Sequence, residues 1–267
     1  MKQSAQTVGF VGVGNMGEAL LAGLISAGAP KSSITFVQRS PERAKTISER
    51  YGISQVSLAD VAKSDCILLC VKPKDIEGIC TQLAQHVNSE SLIVSFAAGK
   101  RIETIESALG GNVGVIRVMP NTPTFIGKGA SGISLGKYVT DDQSAFVRRF
   151  LNASGITVEV DESLQSAVTG TSGSGPAYFF AFVEAMVAGG VKLGLSEEDA
   201  SALTLQTIVG AAGMLEKSGK SATQLREEVT SPNGATFAAL NVFHERKLAE
   251  IVADAMAASA KRTEELA

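Results

Sequence analysis

Three glycines at the spacing G-x-G-x-x-G, in Gly12-Val13-Gly14-Asn15-Met16-Gly17, are the first residues whose types and spacing could do chemistry. The pattern closes an apolar run and opens an amphipathic one, the setting in which it binds the pyrophosphate of a dinucleotide. Gly12 permits the tight turn, Gly14 lets a phosphate approach bare backbone, and Gly17 allows a helix to pack closely on a sheet. The helix that begins at Asn15 and Met16 would turn its unpaired N–H groups toward the phosphates, with Val13 between the first two glycines. An NAD site carries an acid about 20 residues further on, bonded to the ribose 2′-hydroxyl. Here the corresponding stretch is Gln38-Arg39-Ser40. Arg39, the Ser40 hydroxyl and the helix N-terminus at Pro41 could hold a 2′-phosphate that a carboxylate would repel. NADPH is therefore the expected coenzyme, with NADH a weaker one.

Two further segments end strands on the same expected sheet edge. Val71-Lys72-Pro73 follows Cys70, and Phe96-Ala97-Ala98-Gly99 offers small residues under something flat. Met119-Pro120-Asn121-Thr122-Pro123 ends the next strand, where the nicotinamide should lie, and its two prolines make a stiff wall. Ser172-Gly173-Ser174-Gly175-Pro176-Ala177-Tyr178 leads into a long apolar helix. Val229-Thr230-Ser231-Pro232-Asn233-Gly234-Ala235-Thr236 leads into another, whose N-terminal N–H groups suit a small carboxylate. Capping alone could account for Ser174 or Ser231.

The elements that must position these residues follow from periodicity. Strands are expected at 7–13, 34–38, 66–71, 92–96 and 113–118, with helices between them at about 14–27, 41–51, 74–87 and 101–109. Ser40-Pro41-Glu42 supplies an N-cap, a first-turn proline and an acid. Alternating strands and helices imply an α/β, doubly wound parallel sheet of Rossmann type. Short strands near 130–135 and 156–160 flank a helix at 141–152. Beyond Asp161 only helices are expected, at 162–169, 175–195, 197–217, 221–229, 235–243 and 247–258. The division is therefore placed at 1–161 for the dinucleotide-binding domain and 162–267 for an all-helical domain.

The 267 residues, 45% hydrophobic with net charge −3, can bury a core and offer no basic run for nucleic acid. The N-terminus lacks an apolar signal segment, so a cytoplasmic setting is expected. Cys66 and Cys70 lie four steps apart on one strand, roughly 13 Å, too far to share a metal or a disulfide. His86 and His244 have no ligand cluster near them in sequence, and no metal site is expected. The apolar stretch 177–195 carries Glu184 and Lys192, which disfavours a membrane span. With the helix at 197–217 it has more apolar surface than one small domain can cover, which points to oligomerisation.

In order and spacing, the segments Gly12–Gly17, Val71–Pro73, Met119–Pro123, Ser172–Tyr178 and Val229–Thr236 resemble those of the pyrroline-5-carboxylate reductase family. The resemblance runs through both domains, and its last segment is the most specific. It implies reduction of the cyclic imine Δ1-pyrroline-5-carboxylate to L-proline by NADPH, and a helical domain that interlocks two subunits, with dimers assembling further into a decamer. It also implies that Arg39 and Ser40 take the 2′-phosphate side, that Ser57 lies near the ribose, and that Cys70–Pro73 and Phe96–Ala98 line the coenzyme. Substrate would meet Asn121, Ser231, Asn233, Gly234, Ala235 and Thr236, with Glu162 a weaker candidate and Thr236 the catalytic residue bonding the ring nitrogen. Two positions depart from the family pattern. Asn233 replaces a usual glycine, and tolerates the same left-handed backbone better than most residues. Ser57 stands where some relatives have asparagine.

Two other readings compete. β-Hydroxyacid dehydrogenases also join a Rossmann domain to helices, and carry G-x-x-G-x-G-x-x-x-K with a catalytic lysine. Gly170, Gly173 and Gly175 fit that register, but Phe179 stands at the lysine position, and alcohol chemistry needs a group to move the hydroxyl proton. An NADP(H)-binding sensor of the same fold is the non-enzymatic alternative. It gives no reason for the anion-binding segment at 231–236.

Overall fold

The computed structural model describes residues 6–265. Its sheet is built from β1 (Val8–Val11), β2 (Ile34–Val37), β3 (Ser54–Gln55), β4 (Cys66–Leu69), β5 (Leu92–Ser95), β6 (Gly114–Met119), β7 (Gly129–Leu135) and β8 (Gly155–Glu159). The strands lie in the order β3-β2-β1-β4-β5-β6-β7-β8. All adjacent pairs are parallel except β6 with β7, which run antiparallel. The strand order reverses at β1, and a dinucleotide binds at such a switch point.

Helices α1 (Asn15–Ser26), α2 (Pro41–Tyr51), α3 (Leu58–Val61), α4 (Ile76–Leu83), α5 (Ile102–Leu109) and α6 (Asp141–Asn152) connect the strands. Alternating side chains of each strand supply two cores. Phe10, Leu68, Val94, Ile116 and Val118 pack with Leu20, Phe36, Ile47 and Phe150 in one. Ile67, Leu69, Ile93 and Val115 pack with Ile76, Leu83 and Ile105 in the other. Strands buried on both faces read as unbroken apolar runs, which is why β1, β4 and β5 were legible. Ser40 caps α2 and Gly52 ends it in the left-handed conformation, the bounds expected from sequence.

Beyond β8 come α7 (Gln165–Val168), a π-turn at Thr169–Gly173, α8 (Gly175–Lys192), α9 (Glu197–Lys217), α10 (Ala222–Glu228), α11 (Ala235–Glu245) and α12 (Leu248–Glu265). α12 runs seven residues past the expected end at 258. No glycine or proline stands there to stop it.

The chain forms two compact units. One comprises the residues up to Ser174 together with those from Ala257 onward, and the other is Gly175–Met256. The first therefore continues past residue 161, where the strand pattern stops. Gln165 explains this: its side chain is buried and its amide donates to Ser134 Oγ at 2.9 Å, fastening the first helical turns to β7. In the second unit Gly190 lets α8 approach α9, since a Cβ there would stand 3.1 Å from the Ala200 Cβ.

Candidate active site

The glycine fingerprint joins β1 to α1. Gly12 has φ +85°, and a Cβ on it would stand 2.9 Å from the Cys70 carbonyl oxygen. Gly17 is closed in as well, its Cβ position lying 2.8 Å from the Gly12 carbonyl oxygen and 3.1 Å from the Cys70 Cβ. Gly14 is the opposite case: no atom lies within 4 Å of the place its Cβ would occupy. Crowding at the first and third glycines and open space at the second form a cradle that fits a pyrophosphate. Gly14 also begins α1 with no side chain capping it, which leaves the first-turn N–H groups of that helix for an anion.

Side chains from the second βα unit hold this turn from outside. Gln38 Oε1 accepts from the Val13 N–H at 2.9 Å, and Arg43 Nε donates to the Val13 carbonyl at 2.9 Å. Arg43 also pairs with Glu18, whose carboxylate further accepts from Arg50 Nη1 at 2.6 Å and Tyr51 Oη at 2.9 Å. Burial by itself would raise the Glu18 pKa. The hydrogen bonds from Arg43, Tyr51 and Arg50 outweigh it and hold the carboxyl below its ordinary value. Gln38 thus occupies the end of β2 without offering a carboxylate.

Arg39 is exposed and donates from Nη2 to Asp75 Oδ2 at 3.1 Å. Ser40 Oγ accepts from the Arg43 N–H at 3.3 Å as the cap of α2, and its O–H proton is left to donate. Ser57 caps α3 and donates to Asp60 Oδ2 at 2.7 Å. Cys70 and Val71 follow β4, while Lys72 and Pro73 open a 3-10 turn that ends at Asp75. Burial pushes the Cys70 thiol far above its ordinary value, and the Cys80 thiol up to about 12, which disfavours the thiolate at both. Ala97 is buried, whereas Phe96 and Ala98 are half-buried at the end of β5. Gly12–Gly17, Arg39, Ser40, Cys70–Pro73 and Phe96–Ala98 all lie at the carboxyl ends of β1, β2, β4 and β5.

Asn121 is buried with both ends of its amide engaged. Nδ2 donates to the Ser172 carbonyl at 3.1 Å, and Oδ1 accepts from the Ala130 N–H at 2.8 Å. It ties the end of β6 to β7 and to the π-turn. Glu162 is likewise engaged: Oε1 accepts from the Ile102 N–H at 2.8 Å and from Arg117 Nη1 at 3.1 Å. That places a carboxylate on the N-terminus of α5, a favourable end for it.

In the second unit Ser231, Asn233, Gly234, Ala235 and Thr236 are brought together at the start of α11. Asn233 takes the left-handed conformation at φ 58°, as a residue in a glycine's place must. The Gly234 N–H donates to the Ser231 carbonyl at 3.0 Å, and Gly234 begins α11 with no side chain capping it. Thr236 is therefore a first-turn residue, two positions past the cap, and it is exposed. The first-turn N–H groups have no partner inside the helix.

Asp75 and Arg43 were not singled out by sequence. Asp75 stands 36 residues from Arg39, so no local pattern joins them. Arg43 did carry a signal, lying one turn into a helix whose cap was already assigned.

Most of the second unit is uncovered. Between Gly175 and Met256 only Gly175, Ala200 and Thr204 are buried, and Phe180 (64%), Leu205 (61%) and Ile251 (57%) stand exposed. By length and composition alone the helical run Glu162–Lys192 could cross a membrane. A different cover is indicated by relatives. A family model described as "Pyrroline-5-carboxylate reductase dimerisation" matches residues 162–266, and one described as "NADP oxidoreductase coenzyme F420-dependent" matches residues 7–99. The pyrroline-5-carboxylate reductase of Pseudomonas aeruginosa is 40% identical over 267 residues, covering 99% of this chain and 98% of that protein. The chain belongs to the pyrroline-5-carboxylate reductase family. The reductase of Arabidopsis thaliana is 37% identical, covering 97% of this chain and 95% of its own length. Among solved structures, that of the family member from Coxiella burnetii superposes with a TM-score of 0.93 at 33% identity, covering 99% of each chain. The Plasmodium falciparum reductase, solved with NADP bound, superposes at 0.87 with 29% identity and 98% coverage of each. The exposed apolar face of α8, α9 and α11 falls inside the family's dimerisation segment.

Proposed function

We propose that this chain reduces Δ1-pyrroline-5-carboxylate to L-proline, the last step of proline biosynthesis, with NADPH preferred over NADH. The observation that carries the reading is kinship over the whole length with reductases of that imine. The β-hydroxyacid alternative gains no support, since Phe179 occupies its lysine position and is exposed.

NADPH, when bound, supplies the hydride that reduces the imine carbon. In this reading Gly12–Gly17 hold the pyrophosphate, and Arg39 with Ser40 receive the 2′-phosphate. Ser57 lies toward the ribose, and Cys70–Pro73 and Phe96–Ala98 line the coenzyme. The N–H groups of Ala235 and Thr236, beside Ser231, Asn233 and Gly234, bind the substrate carboxylate. The Thr236 hydroxyl orients the ring nitrogen. A protonated imine is already a strong electrophile, so orientation is the main demand, and a threonine hydroxyl relays a proton from water instead of supplying it. Asn121 shapes the wall after β6, and Glu162 enters only through its hold on α5. We further propose a homodimer that assembles into a decamer in the cytoplasm.

Steady oxidation of each coenzyme on adding the imine tests the reading. NADPH should be consumed with a kcat/KM above that of NADH. Failure of both coenzymes to be oxidised would overturn the reading.

A further inference from the structure

We propose that Asp75 sets the coenzyme preference by competing with the 2′-phosphate for Arg39. The inference rests on the reading of Arg39 as the 2′-phosphate ligand. Arg39 follows β2 by two residues and Asp75 follows β4 by six, and β1 lies between these strands. Their ion pair thus reaches over the carboxyl end of β1, across about 9.5 Å of sheet, where the fingerprint turn begins. Arg39 is 81% exposed while Asp75 is 26% exposed and lies in the turn Pro73–Asp75. The acid is the fixed partner and the arginine the movable one. One guanidinium nitrogen contacts one carboxylate oxygen at 3.1 Å, in place of the two-point grip that Arg makes on phosphate.

When NADH binds, nothing at the ribose asks for Arg39, and the pair can persist. When NADPH binds, the phosphate must draw Arg39 from Asp75 and then lie near that carboxylate. Asp75 therefore opposes the phosphorylated coenzyme alone. A neutral residue at 75 removes both the competition and the repulsion. An exposed ion pair is a weak interaction, so the effect should be about 2- to 5-fold. Added salt should shrink it, because these charges are solvent-exposed.

The test is calorimetric titration of the full-length protein with adenosine 2′,5′-bisphosphate and with AMP, which lacks the 2′-phosphate. Three forms are compared: parent, Asp75→Asn and Arg39→Ala. Asp75→Asn should tighten the bisphosphate about 2- to 5-fold at low salt and leave AMP within twofold. The NADPH-to-NADH ratio of kcat/KM should rise in parallel. If Arg39→Ala weakens the bisphosphate but Asp75→Asn changes neither ligand, Asp75 plays no part and the coenzyme reading stands. If Asp75→Asn weakens both ligands alike, Asp75 merely shapes its turn and the proposal fails. If Arg39→Ala leaves the bisphosphate unaffected, the coenzyme reading fails and this proposal with it.

Discussion

At the scale of single residues, Thr236 carries the sharpest expectation. A threonine beside a helix start can serve as its cap as well as touch a substrate. The structure assigns the cap position to Gly234, so truncating Thr236 removes no cap. Thr236→Ala should then lower kcat/KM for the imine by roughly 10- to 100-fold, the equivalent of one hydrogen bond of ~1.4–2.7 kcal/mol. NADPH affinity and melting temperature should stay near those of the parent. Normal turnover in this variant would remove Thr236 from the chemistry. The fingerprint glycines and Asn233 were legible because their spacing and type announce a backbone demand, even where the atom that crowds them, on Cys70, comes from another strand. Asn121 and Glu162 were named as substrate contacts through the family resemblance, and their hydrogen-bond partners were not legible. Their partners, Ser172, Ala130, Ile102 and Arg117, come from other elements that only the fold brings near.

At the scale of elements, α1 and α2 are locked together through Glu18, and their locking steadies Val13 in the glycine fingerprint turn. The Glu18 pKa is lowered in the folded chain, so its stabilisation is fully present above the ordinary value of 4.5. It is lost as the pH falls through the lower folded value. Glu18→Gln should therefore melt several degrees below the parent at pH 7, and the gap should close in acid. A gap that stayed constant from pH 7 to pH 3 would show that charge on Glu18 is irrelevant to the lock. The strands and helices of the sheet unit were readable because each buries a full face or stripe. β3 was not, since two exposed residues, Ser54 and Gln55, carry no pattern and are strand only by pairing with β2. The reversed direction of β7 against β6 had a signal that side-chain periodicity does not carry: the connection through Thr122–Ile126 is too short for a crossover helix.

At the scale of the whole molecule, the helical unit in one chain has almost no core of its own. The family's dimerisation segment covers that unit, and in the proposed homodimer a second copy would supply the missing contacts. Melting temperature should rise with protein concentration, as it does when unfolding and dissociation are one event. Leu205→Glu and Phe180→Asp, each placing a charge on the apolar face, should lower it and shift light scattering toward monomer. A charged variant that stayed dimeric with an unchanged melting curve would show that this face is not the interface. The reach of this half-finished unit extends to how the enzyme is made. If the homodimer is as proposed, a newly synthesised chain can complete its sheet by itself, whereas α8, α9 and α11 must wait for an encounter. Maturation is then a second-order process: at low expression the yield of active enzyme scales with the square of the chain concentration. Chains still waiting present their apolar helices to chaperones and proteases, so supply of the enzyme would switch on over a threshold of synthesis.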